Sequence, residues 1–184
     1  KVRSVKPDAV FIFYPGKHGV QFFKQYAQSG LKGNIPLYSV FAIDALSLPR
    51  IGDLVEGTLM TQFWAPDLAT PVSKIFVQDY RKKYGRYPTF YAAQSYDTIM
   101  LIDSAVRAVN GDLSNKDGMR AAMRRAAFPS VRGPFRYGNN HMPIQNFYLR
   151  KVVKDAEGNY TTSIVKTVYT NHQDPYAKDC KMSW

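Results

Sequence analysis

The sequence predicts an α/β fold built on a parallel sheet. Three observations carry that prediction. Residues 8–14 form a continuous apolar run, the pattern of a strand buried on both faces. From there to residue 63, strand-like and helix-like stretches alternate at short spacing, which calls for right-handed crossovers between parallel strands. The 184 residues are 45% hydrophobic and 21% charged, a globular composition.

The first strand, 8–14, ends at the turn Pro15, Gly16 and Lys17. Val20, Phe22, Phe23, Tyr26 and Ala27 then recur at helical spacing, and Gly30 stands where a helix C-terminus takes a left-handed residue. A second strand covers 37–42. Asp44 to Leu48 reads as a short helical patch stopped by Pro49, and a third strand runs from 57 to 63. Thr70 and Pro71 fit an N-cap and a first helical position, opening a helix that runs to about Tyr84 and is broken over Gly85 to Pro88. Ala93, Tyr96, Ile99, Met100, Ala105 and Val106 give a long helix over about 90–109, ended by Asn110 and Gly111. Another helix covers 115–127. The chain then returns to β: a short strand and turn at 133–140, and two alternating stretches, 145–153 and 160–169, flanking a hairpin turn. Residues 171–184 show no periodicity.

This order leaves three consecutive helices without a sheet of their own. Their apolar faces either cover the first sheet or pack on a sheet elsewhere in a longer protein. A chain that opens at Lys1, directly ahead of a buried strand, favours the second arrangement.

The formal charge of +11 invites a nucleic-acid reading. The basic clusters, Arg81 to Lys83 and Arg120 to Arg125, fall on helices and match no nucleic-acid-binding signature, so no nucleic-acid partner is expected. The longest apolar run, 9–14, is far short of the ~20 residues of a bilayer span. A single cysteine, Cys180, allows neither an internal disulfide nor a multi-cysteine metal site. No phosphate loop, dinucleotide fingerprint or nucleophile elbow is present. His18, His141 and His172 fall on turns or the tail, and Asp97 and Asp103 do not share a helix face. Neither catalytic residues, a metal site nor a cofactor is assigned.

The stretch Lys6 to Gly16, followed by Phe22 to Tyr26 and Ser29 to Leu31, resembles the type I periplasmic substrate-binding proteins of ABC importers, the leucine/isoleucine/valine-binding-protein-like receptors. Ile35 to Tyr38, Val55 to Gly57, Tyr80 to Pro88, Tyr91 to Asp97 and Arg132 to Phe135 follow in family order. The resemblance implies a two-lobed α/β fold with parallel sheets, only part of which is in this chain. Residues 1–64 and 143–184 would belong to one lobe and 67–140 to the other, with hinge crossings at Trp64, Ala65 and Pro66 and at Met142 and Pro143. It also implies a periplasmic or extracytoplasmic location, a small-molecule ligand in the cleft and a membrane permease as partner. A ligand-sensing receptor of the same fold is an alternative, and an enzyme on this scaffold would need its nucleophile and base from elsewhere.

Ligands of open α/β sheets bind beyond the carboxyl ends of the strands. Two loops fit: one with Tyr14, Pro15, Gly16 and Lys17, the other with Ser39 and Phe41. Gly16 admits close backbone approach, and the helix after Lys17 offers free N–H groups to an anion. The alternative for Tyr14 and Phe41 is a role as core aromatics, and Trp64 reads as hinge packing rather than ligand contact. By resemblance, amino-acid-binding members place a carboxylate in the second loop. Here the nearest acid is Asp44, past the loop, and Phe41 offers a flat apolar wall. The expected ligand is therefore a small aromatic or apolar carboxylate, with branched-chain amino acids as the alternative. Cys180 is either a free thiol or paired with a cysteine outside this chain.

Overall fold

Val10–Ile12 (β1), Leu37–Val40 (β2) and Leu59–Gln62 (β3) pair in parallel and in chain order. In this computed structural model, which describes residues 1–182, the crossovers are the helices Lys17–Gln28 (α2) and Leu48–Val55 (α3), and a single helical turn, Val2–Val5 (α1), precedes β1. Residues 183–184 of the terminal segment lie outside the described residues. The apolar stripes of the two crossovers decide which sheet face they cover. Phe23 of α2 and Leu48, Ile51 and Val55 of α3 pack with Ile12, Ala42, Ile43, Met60 and Val152 in one buried cluster. Each of these side chains larger than alanine contributes about 1.5–3 kcal/mol on burial.

After β3 come the helices Pro71–Tyr84 (α4), Phe90–Ala108 (α5) and Lys116–Arg125 (α6). Each starts where the sequence places a capping side chain. Thr70 Oγ1 accepts from the Ser73 N–H at 3.2 Å, Thr89 Oγ1 from Ala92 at 3.0 Å and Asn115 Oδ1 from Gly118 at 2.9 Å. Caps of this kind are worth roughly 1 kcal/mol each. Three further strands follow: Phe135–Tyr137 (β4), Pro143–Lys154 (β5) and Tyr160–His172 (β6).

The long strand β5 joins everything. Its residues 143–145 pair with β4 and 148–151 with β3, both antiparallel, while β6 pairs with it along the hairpin. The sheet order is β1-β2-β3-β5-β4, with β6 also on β5. Between Gln145 and Tyr148, where β5 changes partner, the hairpin register shifts. A second buried cluster forms here: Phe63, Trp64, Leu68, Phe76, Val77, Phe90, Ala93, Val131 and Tyr148.

Three expectations are corrected. The first strand is only three residues long, and Phe11 is 66% exposed, because β1 is an edge strand and α2 and α3 cover one face only. Pro49 does not stop a helix. It sits in the first turn of α3, where its missing N–H has no intrahelical partner to lose, and Asp44 to Ser47 form the turn ahead of it. The strands read as parallel, β1 to β3, are parallel, and β5 extends their sheet by running against β3. The tail contains a 3-10 turn, Ala177–Asp179, held on the β4–β5 turn by Asn139 Nδ2, which donates to Ala177 O at 2.7 Å.

The three middle helices do not lie over the α2–α3 side of the sheet. The middle of α4 and the start of α5 enter the second cluster, and the outer part of α5 presents Ile99 and Ile102 to solvent. No helix among the described residues is long and apolar enough to cross a membrane.

Candidate functional site

The carboxyl ends of β1 and β2 carry the two loops. After β1, Gly16 is the N-cap of α2 at φ +70°, a left-handed backbone that costs glycine little. One turn on, a Cβ at Gly19 would collide with the Tyr14 carbonyl, so the helix start lies directly against the strand end. The first intrahelical bond of α2 runs from the Val20 N–H to Gly16 O. The preceding N–H groups and the positive end of the helix dipole therefore share one spot that favours an anion, and Lys17 is the first residue of that helix.

After β2, Phe41 takes φ +56°, which for a residue with a side chain is strained by about 1–2 kcal/mol. In that conformation its ring joins an aromatic set. Its centroid lies 5.6 Å from Phe90, 6.0 Å from Phe63 and 6.3 Å from Phe13. Phe63 and Phe90 are buried, whereas Phe13 is 59% exposed, so the set is a wall with one open edge.

Not every candidate residue reaches this wall. Strand alternation sends Phe13 toward Phe41 and turns Tyr14 away, onto Phe22 of α2 at 5.5 Å. Tyr14 and Pro15 line a separate hollow of about 470 Å³ with His18, Gln21, Phe22 and Gln25. Ser39 is buried and in register with Ile12 and Met60, on the helix-covered face beneath the loop. Period-2 reading of 11–14 could have singled out Phe13. Phe63 and Phe90 arrive only through tertiary packing.

Asp44, the acid nearest the second loop, points inward. Its Oδ1 accepts from the Leu46 N–H at 2.9 Å, and the Ser47 Oγ accepts from the Asp44 N–H at 3.0 Å. Burial raises the Asp44 carboxyl above its ordinary value, against the lowering pull of the Leu46 bond and the Arg150 charge. Arg150 is itself fully buried, and desolvation pulls its pKa down to about 10. Its Nη1 donates to Thr162 Oγ1 at 3.0 Å and its Nη2 to Ile43 O at 3.4 Å.

Between the two sheet regions Trp64 is buried, its indole N–H donating to Ser73 Oγ at 3.0 Å, with Ala65 buried beside it and Pro66 half-buried. Met142 is exposed and Pro143 opens β5. Beneath them Arg132 Nε pairs with Asp97 Oδ2 at 2.7 Å, and the guanidinium lies 4.2 Å over the Phe135 ring and 5.5 Å over Phe63.

The sequence profile of the family described as "Periplasmic binding protein" matches residues 1–158. The chain belongs to that family. Among periplasmic binding proteins, it is 30% identical over 186 residues to the "Leu/Ile/Val-binding protein homolog 6" of Brucella melitensis, covering 97% of this chain and 47% of that relative. It thus spans about half the length of the curated relatives it matches. Two solved structures superpose closely. One is an ABC transporter solute-binding protein from R. palustris in complex with benzoate, at TM-score 0.87 and 32% identity, over 98% of this chain and 48% of the other. The second is a solute-binding protein from Rhodopseudomonas palustris BisB5 in complex with 3,4-dihydroxybenzoic acid, at TM-score 0.83 and 30% identity, over 95% and 48%. A leucine-binding protein from Thermotoga maritima, 24% identical at TM-score 0.74 over 90% and 46%, shares the fold.

Proposed function

We propose that the chain is part of an extracytoplasmic solute-binding component of an ABC importer, and that its ligand is a small aromatic carboxylate held in a cleft between two lobes. The observation that carries this reading is the pairing of the Phe41 wall with the start of α2. A ring packs on Phe41 and Phe13, and its carboxylate meets the N–H groups after Gly16 together with Lys17. The benzoate and dihydroxybenzoate complexes of the similar solute-binding proteins support the same class.

Branched-chain amino acids are the second reading, favoured by the Leu/Ile/Val-binding homologues. Against it stands Asp44. An ammonium group buried in the cleft needs an anionic partner or costs several kcal/mol, and the carboxyl nearest the second loop is directed into the protein, toward Arg150.

In this reading residues 1–64 and most of 143–184 form one lobe and 67–140 the other. Trp64, Ala65 and Pro66 make one passage. Met142 and Pro143 lead into the next, which falls where β5 changes partner between Gln145 and Tyr148. Residues 174–180, tied to Asn139 and Asn140, go with the second lobe rather than with the first. The permease partner would recognise the closed form, as hinge closure around a ligand provides.

Calorimetric titration of the protein with benzoate, 4-hydroxybenzoate, leucine and isoleucine tests the ligand class. Heat from the aromatic acids with none from the amino acids is expected. Tight leucine binding without aromatic-acid binding overturns it.

A further inference from the structure

Beneath the second loop, Asp44 and Arg150 face each other without touching. Asp44 Oδ2 and Arg150 Nε are both buried, and neither has a protein hydrogen-bond partner. One is an acceptor and the other a donor, and each residue's charge acts on the other across the gap. Both residues line a cavity of about 10 Å³ roofed by Trp64, Pro66, Pro88 and Phe90. That volume is the room of one water, about a single probe sphere. A buried charge left unpaired is costly, whereas a water that accepts from one group and donates to the other satisfies both.

The position of the pair gives it a role. The Arg150 guanidinium reaches from β5 to the Ile43 carbonyl, and Asp44 organises the turn after it through Leu46 and Ser47. Ile43 and Asp44 directly follow Phe41 and Ala42, so whatever fixes them fixes the strained Phe41 backbone. We propose that Asp44 and Arg150 hold one internal water between them and that this bridged pair is the positioning device for the Phe41 loop. The benefit to ligand binding rests on the reading above, but the bridge itself does not.

Two measurements on the protein decide it. A high-resolution crystal structure is expected to show one water within hydrogen-bonding distance of both Asp44 Oδ2 and Arg150 Nε. Amide hydrogen exchange over residues 41–46 is expected to quicken about ten- to a hundredfold in Asp44→Asn, the equivalent of losing one charge-assisted bond, with the amides of α6 unchanged. Arg150→Lys, which keeps the charge but removes Nε, should show the same local effect if Asp44→Asn does not fold. A dry cavity, or unchanged exchange at 41–46 in the folded variant, overturns the proposal. Benzoate calorimetry on the unaltered protein is a separate arm: no binding there overturns the ligand reading, while the water and the exchange rates still decide the bridge.

Discussion

Arg132 and Asp97 form a buried ion pair that ties α5 to the segment entering β4. The Nε–Oδ2 distance is 2.7 Å and the side chains are 6% and 1% exposed. Asp97 also accepts from Ser130 Oγ at 2.6 Å and from the Val131 N–H at 2.9 Å, while Arg132 Nη1 donates to Gln145 Oε1 at 3.1 Å. The network reaches the point where β5 changes partner, so it braces the proposed passage between lobes. Removing one partner leaves an uncompensated buried charge. Asp97→Asn is expected to cost about 3–5 kcal/mol in urea unfolding. The double variant Asp97→Asn with Arg132→Met should cost less than the two single variants added together.

Trp64 depends on a hydroxyl from another element. Ser73→Ala leaves its indole N–H buried without the bond to Ser73 Oγ. A loss of about 1–3 kcal/mol follows from that unpaired donor, read as a lower urea midpoint with an unchanged slope.

Phe41 and Tyr14 should separate cleanly in binding. Phe41→Ala removes most of a contact wall and is expected to weaken benzoate binding about tenfold by calorimetry, equivalent to about 1.4 kcal/mol. Tyr14→Ala should change it less than about twofold, within the reach of a surface substitution, because the Tyr14 ring rests on Phe22. Phe41→Gly should lose the same affinity but cost less stability than Phe41→Ala, since φ +56° is open to glycine.

The sequence was most legible where local chemistry acts alone. The cap at Thr70, the stop at Gly85 and the β5–β6 hairpin stand where the residues place them, whereas the caps Thr89 and Asn115 emerge only in the structure. Pro49 misled because proline signals both the end of a helix and its first turn, and only the packing of Leu48, Ile51 and Val55 against the sheet chooses between them. At the candidate site the loops were readable, since they follow strands. Which aromatic faces Phe41 was not, because Phe63 and Phe90 come from distant segments. The Asp44–Arg150 relationship joins a turn and a strand far apart in sequence and leaves no local trace.

The acid dependence of stability should carry the mark of Asp44. Burial raises its carboxyl above the ordinary 3.8, and Arg150 faces it from β5 while Tyr87 and Tyr160 line the same cavity. A carboxyl raised in the native state takes up its proton there at a higher pH than in the unfolded chain. Its contribution to stability is therefore fully present below the ordinary value and is lost as pH rises through the raised one. Urea unfolding across this range should show the unaltered protein losing stability relative to Asp44→Asn as pH climbs from about 4, then a constant difference. A difference of the opposite slope would contradict the burial of a charged Asp44.

The most direct measurement is the crystal structure of the protein grown with benzoate. The expected result is a ring packed on Phe41 and Phe13 with its carboxylate at the N–H groups after Gly16. Benzoate found away from both loops, or a cleft that admits leucine in its place with the ammonium paired to an acid of this chain, would contradict it.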